Sequence, residues 1–132
     1  MTTTDQAERT PELPLFDLRA LGDAIETRDA EYQIPLYADD AIVQVIDPDN
    51  PPRSPRVIRG QPAIASWIRD ICHLRMTHRM VALVDAGETA AFTEEGRYKD
   101  GGTVVSASTV EIRRGLIVHQ RVISVWDDLD WR

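Results

Sequence analysis

From Thr77 to Trp126 the chain alternates four strand-like runs with short glycine-bearing turns, a pattern that few folds accommodate. The runs are Thr77–Val84, Thr89–Tyr98, Val104–Ile112 and Leu116–Trp126. Asp85-Ala86-Gly87, Asp100-Gly101-Gly102 and Arg114-Gly115 separate them, and connections this short join neighbouring strands as hairpins. Ahead of this meander, Leu18, Leu21, Ala24 and Ile25 recur at helical spacing, predicting a first helix from Leu15 to near Asp29 with Asp17 as its cap. Pro35 interrupts the apolar cluster Tyr32, Ile34, Leu36 and Tyr37, which predicts a short or kinked second helix. Ala41–Ile46 reads as a first strand running into the turn-rich stretch Asp47–Pro52, and Arg56–Arg59 as a small second one. Pro62 suits the first position of a third helix, along which Ile64, Trp67, Ile68 and Ile71 share a face.

Helices first and an antiparallel meander second is the order of an α+β domain whose helices pack on one sheet face. The 132 residues suffice for one hydrophobic core. Residues 1–14, rich in Thr, Asp, Glu and Pro, read as a loose tail, and residues 15–132 as the domain.

The formal net charge of -7 argues against nucleic-acid and anionic-membrane partners, because phosphate binding needs clustered Lys and Arg. Cys72 is the sole cysteine, so no internal disulfide forms, and it reads as core packing. No apolar run is long enough to span a bilayer and the first residues are polar and acidic, so a cytoplasmic location is expected. The three histidines lack paired spacing, there is no glycine-rich phosphate loop after a strand, and no Ser or Cys sits in a nucleophile motif. Neither a metal nor a cofactor is expected.

The segments Ile25-Glu26-Thr27-Arg28-Asp29, Leu36-Tyr37-Ala38-Asp39-Asp40-Ala41, Gly60-Gln61-Pro62-Ala63-Ile64 and Arg114-Gly115-Leu116-Ile117-Val118, followed by Trp126-Asp127, resemble SnoaL-like members of the nuclear-transport-factor-2-like superfamily in order and spacing. That resemblance covers Leu15 to Asp127 and implies a cystatin-like cone: a curved antiparallel sheet wrapped around N-terminal helices, with a pocket on its concave side. It also implies a homodimer through the sheet's outer face, where His119, Arg121, Ile123 and Val125 fall. Isomerases, cyclases, dehydratases, epoxide hydrolases and proteins without a reaction share the scaffold, so the pocket residues decide.

Carried over from ketosteroid isomerases, the general base falls on Val45, the oxyanion Tyr on Leu21 and the protonated Asp on Thr109, none of which can do that chemistry. Limonene-epoxide-hydrolase-like proteins place an Arg and an Asp two residues apart. The nearest pair here, Glu95 and Arg97, stands in the opposite order, and the last-strand Asp maps to Val122. Scytalone-dehydratase-like proteins are similar in placing a pocket His where the third strand begins, which is His78, and an acidic residue at Glu26, although Ile25 stands where their Tyr would be. Imidazole titrates near neutrality and can serve as acid or base.

Glu26, Glu94 or Glu95 would orient His78. Strand alternation aligns Glu94 with Phe92 and Tyr98 and makes it the preferred partner, unless a bulge reverses the choice. By resemblance, Gln120, Val122, Ser124 and Trp126 face the pocket, Thr109 joins Gln120 and Ser124 in offering neutral hydrogen bonds, and Trp67, Phe92 and Tyr98 are wall residues. This set implies a pocket for a small hydrophobic molecule. Two functions fit it. One is a cofactor-independent isomerase, cyclase or dehydratase working by proton transfer on a carbonyl or hydroxyl compound; the other is a non-catalytic ligand-binding or accessory dimerisation protein.

Overall fold

The computed structural model describes residues 16–127, so the tail read over residues 1–14 lies outside the described residues. Asp17 starts the first helix, α1 (Leu18–Glu26), by accepting the Ala20 N–H at 3.1 Å, which satisfies a donor that every helix start leaves free. Leu18, Leu21 and Ala24 are buried along its inner face. α1 stops before the predicted Asp29 because that residue caps the next element instead. Arg28 takes a left-handed φ of 56°, and the Asp29 carboxylate accepts the Tyr32 N–H at 3.0 Å to open α2 (Ala30–Gln33).

Pro35 then sits in a short 3-10 turn, Ile34–Leu36, where its missing N–H does least harm. Tyr37, grouped with the helical cluster by sequence, instead begins β1 (Tyr37–Ile46), which is longer than the predicted Ala41–Ile46. Exposed Asp39 and Asp40 break the alternation in that extension and hide it from a pattern reading.

The chain continues through β2 (Arg56–Arg59), α3 (Gln61–His73), β3 (Met76–Asp85), β4 (Thr89–Tyr98), β5 (Thr103–Arg113) and β6 (Leu116–Trp126). Gly60 joins β2 to α3 at φ 84°, a region that side chains rarely enter, while its N–H donates to the Ala41 carbonyl at 2.8 Å.

The six strands form one sheet in the order β2-β1-β6-β5-β4-β3. Every neighbouring pair is antiparallel but one: β1 and β6 run parallel within the otherwise antiparallel sheet that was expected. α3 delivers the chain to the far edge at β3, running in the same direction as β2. Three hairpin reversals then bring β6 beside β1 pointing the same way. Register shifts at Met80/Ala82 in β3 and Glu111/Ile112 in β5 mark bulges, which bend strands and curve the sheet around the helices. The largest fully buried side chains, Ile64 on α3, Val43 on β1, Val110 on β5 and Ile117 on β6, lie between helix and sheet. No helix among the described residues is long and apolar enough to cross a membrane.

Candidate functional site

Between the concave sheet face and the two longer helices lies a cavity of about 260 Å³. α1 contributes Leu21 and Ile25, and α3 contributes Trp67, Ile68, Ile71 and Cys72, whose spacing puts them on one helix face. Nine of the residues singled out from sequence lie on its wall: His78, Glu94, Trp67, Phe92, Tyr98, Gln120, Val122, Ser124 and Trp126.

Two others do not. Thr109 is exposed on the outer sheet face, because β5 turns Ser106, Ser108 and Val110 inward and gives Thr109 the same parity as the outward Glu111 and Arg113. Glu26 is exposed at the end of α1, where its carboxylate accepts the Met80 N–H at 2.8 Å. It ties α1 to the edge strand β3 and does not reach the cavity. Glu95 also points away, pairing with Arg79 at 3.1 Å.

His78 and Glu94 meet. Nδ1 of His78 lies 3.2 Å from Oε1 of Glu94, with side-chain exposures of 4% and 19%, so most of the pair is withdrawn from water. The residue directly opposite His78 is Gly96, while Glu94 lies one inward position further along β4, opposite Met80. A Cβ at Gly96 would overlap the Met76 methyl and come within 3.9 Å of His78 Nδ1.

The sheet wall beside this pair carries a polar chain that sequence reasoning did not assemble. Tyr37 donates its hydroxyl proton to Gln120 Oε1, and Gln120 Nε2 donates to Ser108 Oγ at 3.2 Å. Ser106 and Ser124 share a further hydrogen bond at 2.8 Å. Register places Glu94, Ser106 and Ser124 side by side across β4, β5 and β6. The signal for Ser106 and Ser108 was available in the β5 alternation with Val104, Val110 and Ile112. Tyr37 had none, because a register shift separates it from the regular part of β1.

Burial, reinforced by the nearby charge of Glu94, pushes the Tyr37 hydroxyl well above its ordinary value of 10.0. The folded chain therefore holds this proton at pH values where the unfolded chain has released it. Stability from Tyr37 is fully present below pH 10.0 and is lost as pH rises above it. Urea unfolding between about pH 9 and about pH 11 is expected to show stability falling by up to ~1.4 kcal/mol per pH unit at the alkaline end, and Tyr37→Phe to flatten that decline. Equal slopes in the two proteins would contradict the assignment. Burial likewise raises the thiol of Cys72, which packs against Gln33 on the cavity wall.

No sequence-family model matches the chain, and no curated protein does. Among solved structures, an NTF2-like protein of unknown function from Mesorhizobium loti superposes with a TM-score of 0.67 at 17% identity, over 83% of this chain and 87% of that one. The chain has the nuclear-transport-factor-2-like fold. A candidate ketosteroid isomerase from Kribbella flavida superposes with a TM-score of 0.63 at 21% identity over 83% of this chain and 74% of that one. A computationally designed 17-OHP binder superposes with a TM-score of 0.60 at 21% identity over 83% and 93% of the two chains. Identities this low carry the NTF2-like fold and no activity. Of the three positions carried over from ketosteroid isomerases, Leu21 and Val45 line the cavity as apolar wall and Thr109 faces outward.

Proposed function

We propose that the cavity takes a small hydrophobic carbonyl or hydroxyl compound and moves a proton on it without a cofactor, as an isomerase, cyclase or dehydratase. The observation that carries this reading is the 3.2 Å contact between His78 Nδ1 and Glu94 Oε1 on the wall of a largely apolar cavity. An ionised carboxylate only accepts hydrogen bonds, so it holds the imidazole proton at Nδ1 and leaves Nε2 as the base. Nε2 takes a proton from the carbon beside the substrate carbonyl, and the electron pair moves onto the carbonyl oxygen. The hydroxyl of the Ser106–Ser124 pair that is not donated within the pair, also on the cavity wall, donates to that oxygen as charge develops on it. The imidazolium then returns its proton to another carbon, or to a hydroxyl that leaves as water.

A second reading, non-catalytic ligand binding or accessory dimerisation, is favoured by the apolar Leu21 and Val45 where ketosteroid isomerases carry their Tyr and Asp. Deuterium exchange at the α-carbon of β-tetralone in deuterium oxide, followed by NMR, separates the two. Exchange above the buffer rate supports proton transfer; binding without exchange supports the second reading.

A homodimer fits either reading. Val105 pairs with Val125 and Ala107 with Ile123 on the outer sheet face, beside half-buried His119 and exposed Arg121. Val125 is 61% and Ile123 47% exposed, an apolar stripe of the kind that a second copy covers. Light scattering at micromolar concentration is expected to give twice the 14.9 kDa chain mass, and a purely monomeric species would overturn the dimer. A cytoplasmic location fits the free thiol of Cys72 and is tested by cell fractionation.

A further inference from the structure

A second, shallower cleft adjoins the cavity. Four cationic side chains line it: Arg28 after α1, Arg75 ahead of β3, Arg97 near the end of β4, and Lys99 just beyond it. All four are exposed, and among the described residues none has a carboxylate within 4.0 Å, whereas Arg69 and Arg79 each have one. In a chain of net charge -7, four unneutralised cations around one cleft repel each other and gain when an anion joins them.

The cleft and the cavity share part of their walls. Met76 and Tyr98, a cross-strand pair, line both spaces. Two hydrogen bonds to backbone carbonyls hold the cationic segments together: the Arg28 side chain donates from Nη1 to the Leu74 carbonyl at 3.3 Å, and the Lys99 N–H donates to the Arg75 carbonyl at 3.4 Å.

We infer that the ligand of this protein is an anionic amphiphile, whose apolar body occupies the cavity beside His78 and whose carboxylate or phosphate group sits among Arg28, Arg75, Arg97 and Lys99. The inference rests on the reading of the cavity as a binding site and adds the ligand's second functional group. Guanidinium forks bind either anion through paired charge-assisted hydrogen bonds, so Arg75, just ahead of β3, and Arg97 on β4 carry most of the selectivity. The chain's overall negative field makes this cleft the favoured approach for such a ligand.

The test is binding of decanoate, decyl phosphate and decanol to the full chain, below their micelle concentrations, read by the fluorescence of Trp67 and Trp126 on the cavity wall. At low salt at least one of the two anions is expected to bind about 10-fold or more tightly than decanol, with the advantage shrinking as salt is added. Whichever anion leads identifies the head group. The Arg75→Gln/Arg97→Gln variant is expected to bind all three probes alike; its changes are on exposed positions, and circular dichroism with Lys99→Gln as a second variant checks that folding is intact. Equal binding of decanol and both anions by the natural chain overturns the inference while leaving the cavity reading in place. An anion advantage that survives in the variants also overturns it. Failure of all three probes to bind overturns it together with the cavity reading, which the ketone exchange assay examines independently.

Discussion

Replacing His78 with glutamine is expected to lower the exchange of β-tetralone α-protons by about 10²–10⁴-fold at saturating ketone, the range that one positioned acid or base contributes. The side chain is 4% exposed and its one polar contact among the described residues is the Glu94 carboxylate, which a glutamine amide can still reach. Stability should therefore stay within about 1 kcal/mol of the natural chain, and the loss should fall on turnover and not on ketone affinity. Glu94→Gln gives a smaller loss of the same kind, because the amide no longer forces the proton onto Nδ1. A wall residue with no chemical role predicts the opposite division: weakened ketone binding and unchanged turnover of what binds.

Replacing Ile64 with alanine is expected to cost about 2–5 kcal/mol of folding stability, measured by urea unfolding. Ile64 is fully buried on α3 and belongs to the cluster that joins this helix to Val43, Val110 and Ile117 of the sheet. The change removes three carbons and leaves a void that rigid strands on one side cannot close. It also loosens the helix that carries Trp67, Ile68, Ile71 and Cys72 to the cavity, so ketone binding should weaken along with stability. A cost below about 1 kcal/mol would mean that α3 does not anchor the core as described.

The meander was legible because its glycine turns and alternating strands are local features, and β4 and β6 run over the residues their patterns predicted. The parallel pairing of β1 with β6 was not legible, since it joins segments some eighty residues apart and no local pattern records it. The same division runs through the site. Glu94 shares the inward parity of Phe92, and alternation finds it. Tyr37 lies beyond a proline and a register shift, so neither helical nor strand period reaches it. Thr109 was assigned by resemblance against its own alternation: Glu111 and Arg113, at the same parity, already mark that face as outward. Glu26 was drawn toward His78 by the same route, yet the carboxylate at the end of α1 is taken up by the Met80 N–H of the strand beside it. The basic cleft was invisible because Arg28, Arg75, Arg97 and Lys99 come from separate segments that only the fold assembles.

A crystal structure of the chain grown with β-tetralone tests the central claim most directly. The proposed chemistry predicts the ketone inside the cavity, against Trp67, with its α-carbon within about 3.5 Å of His78 Nε2 and with Nδ1 still bonded to Glu94. A ketone bound elsewhere, a cavity filled by its own side chains, or an imidazole turned away from Glu94 would contradict it.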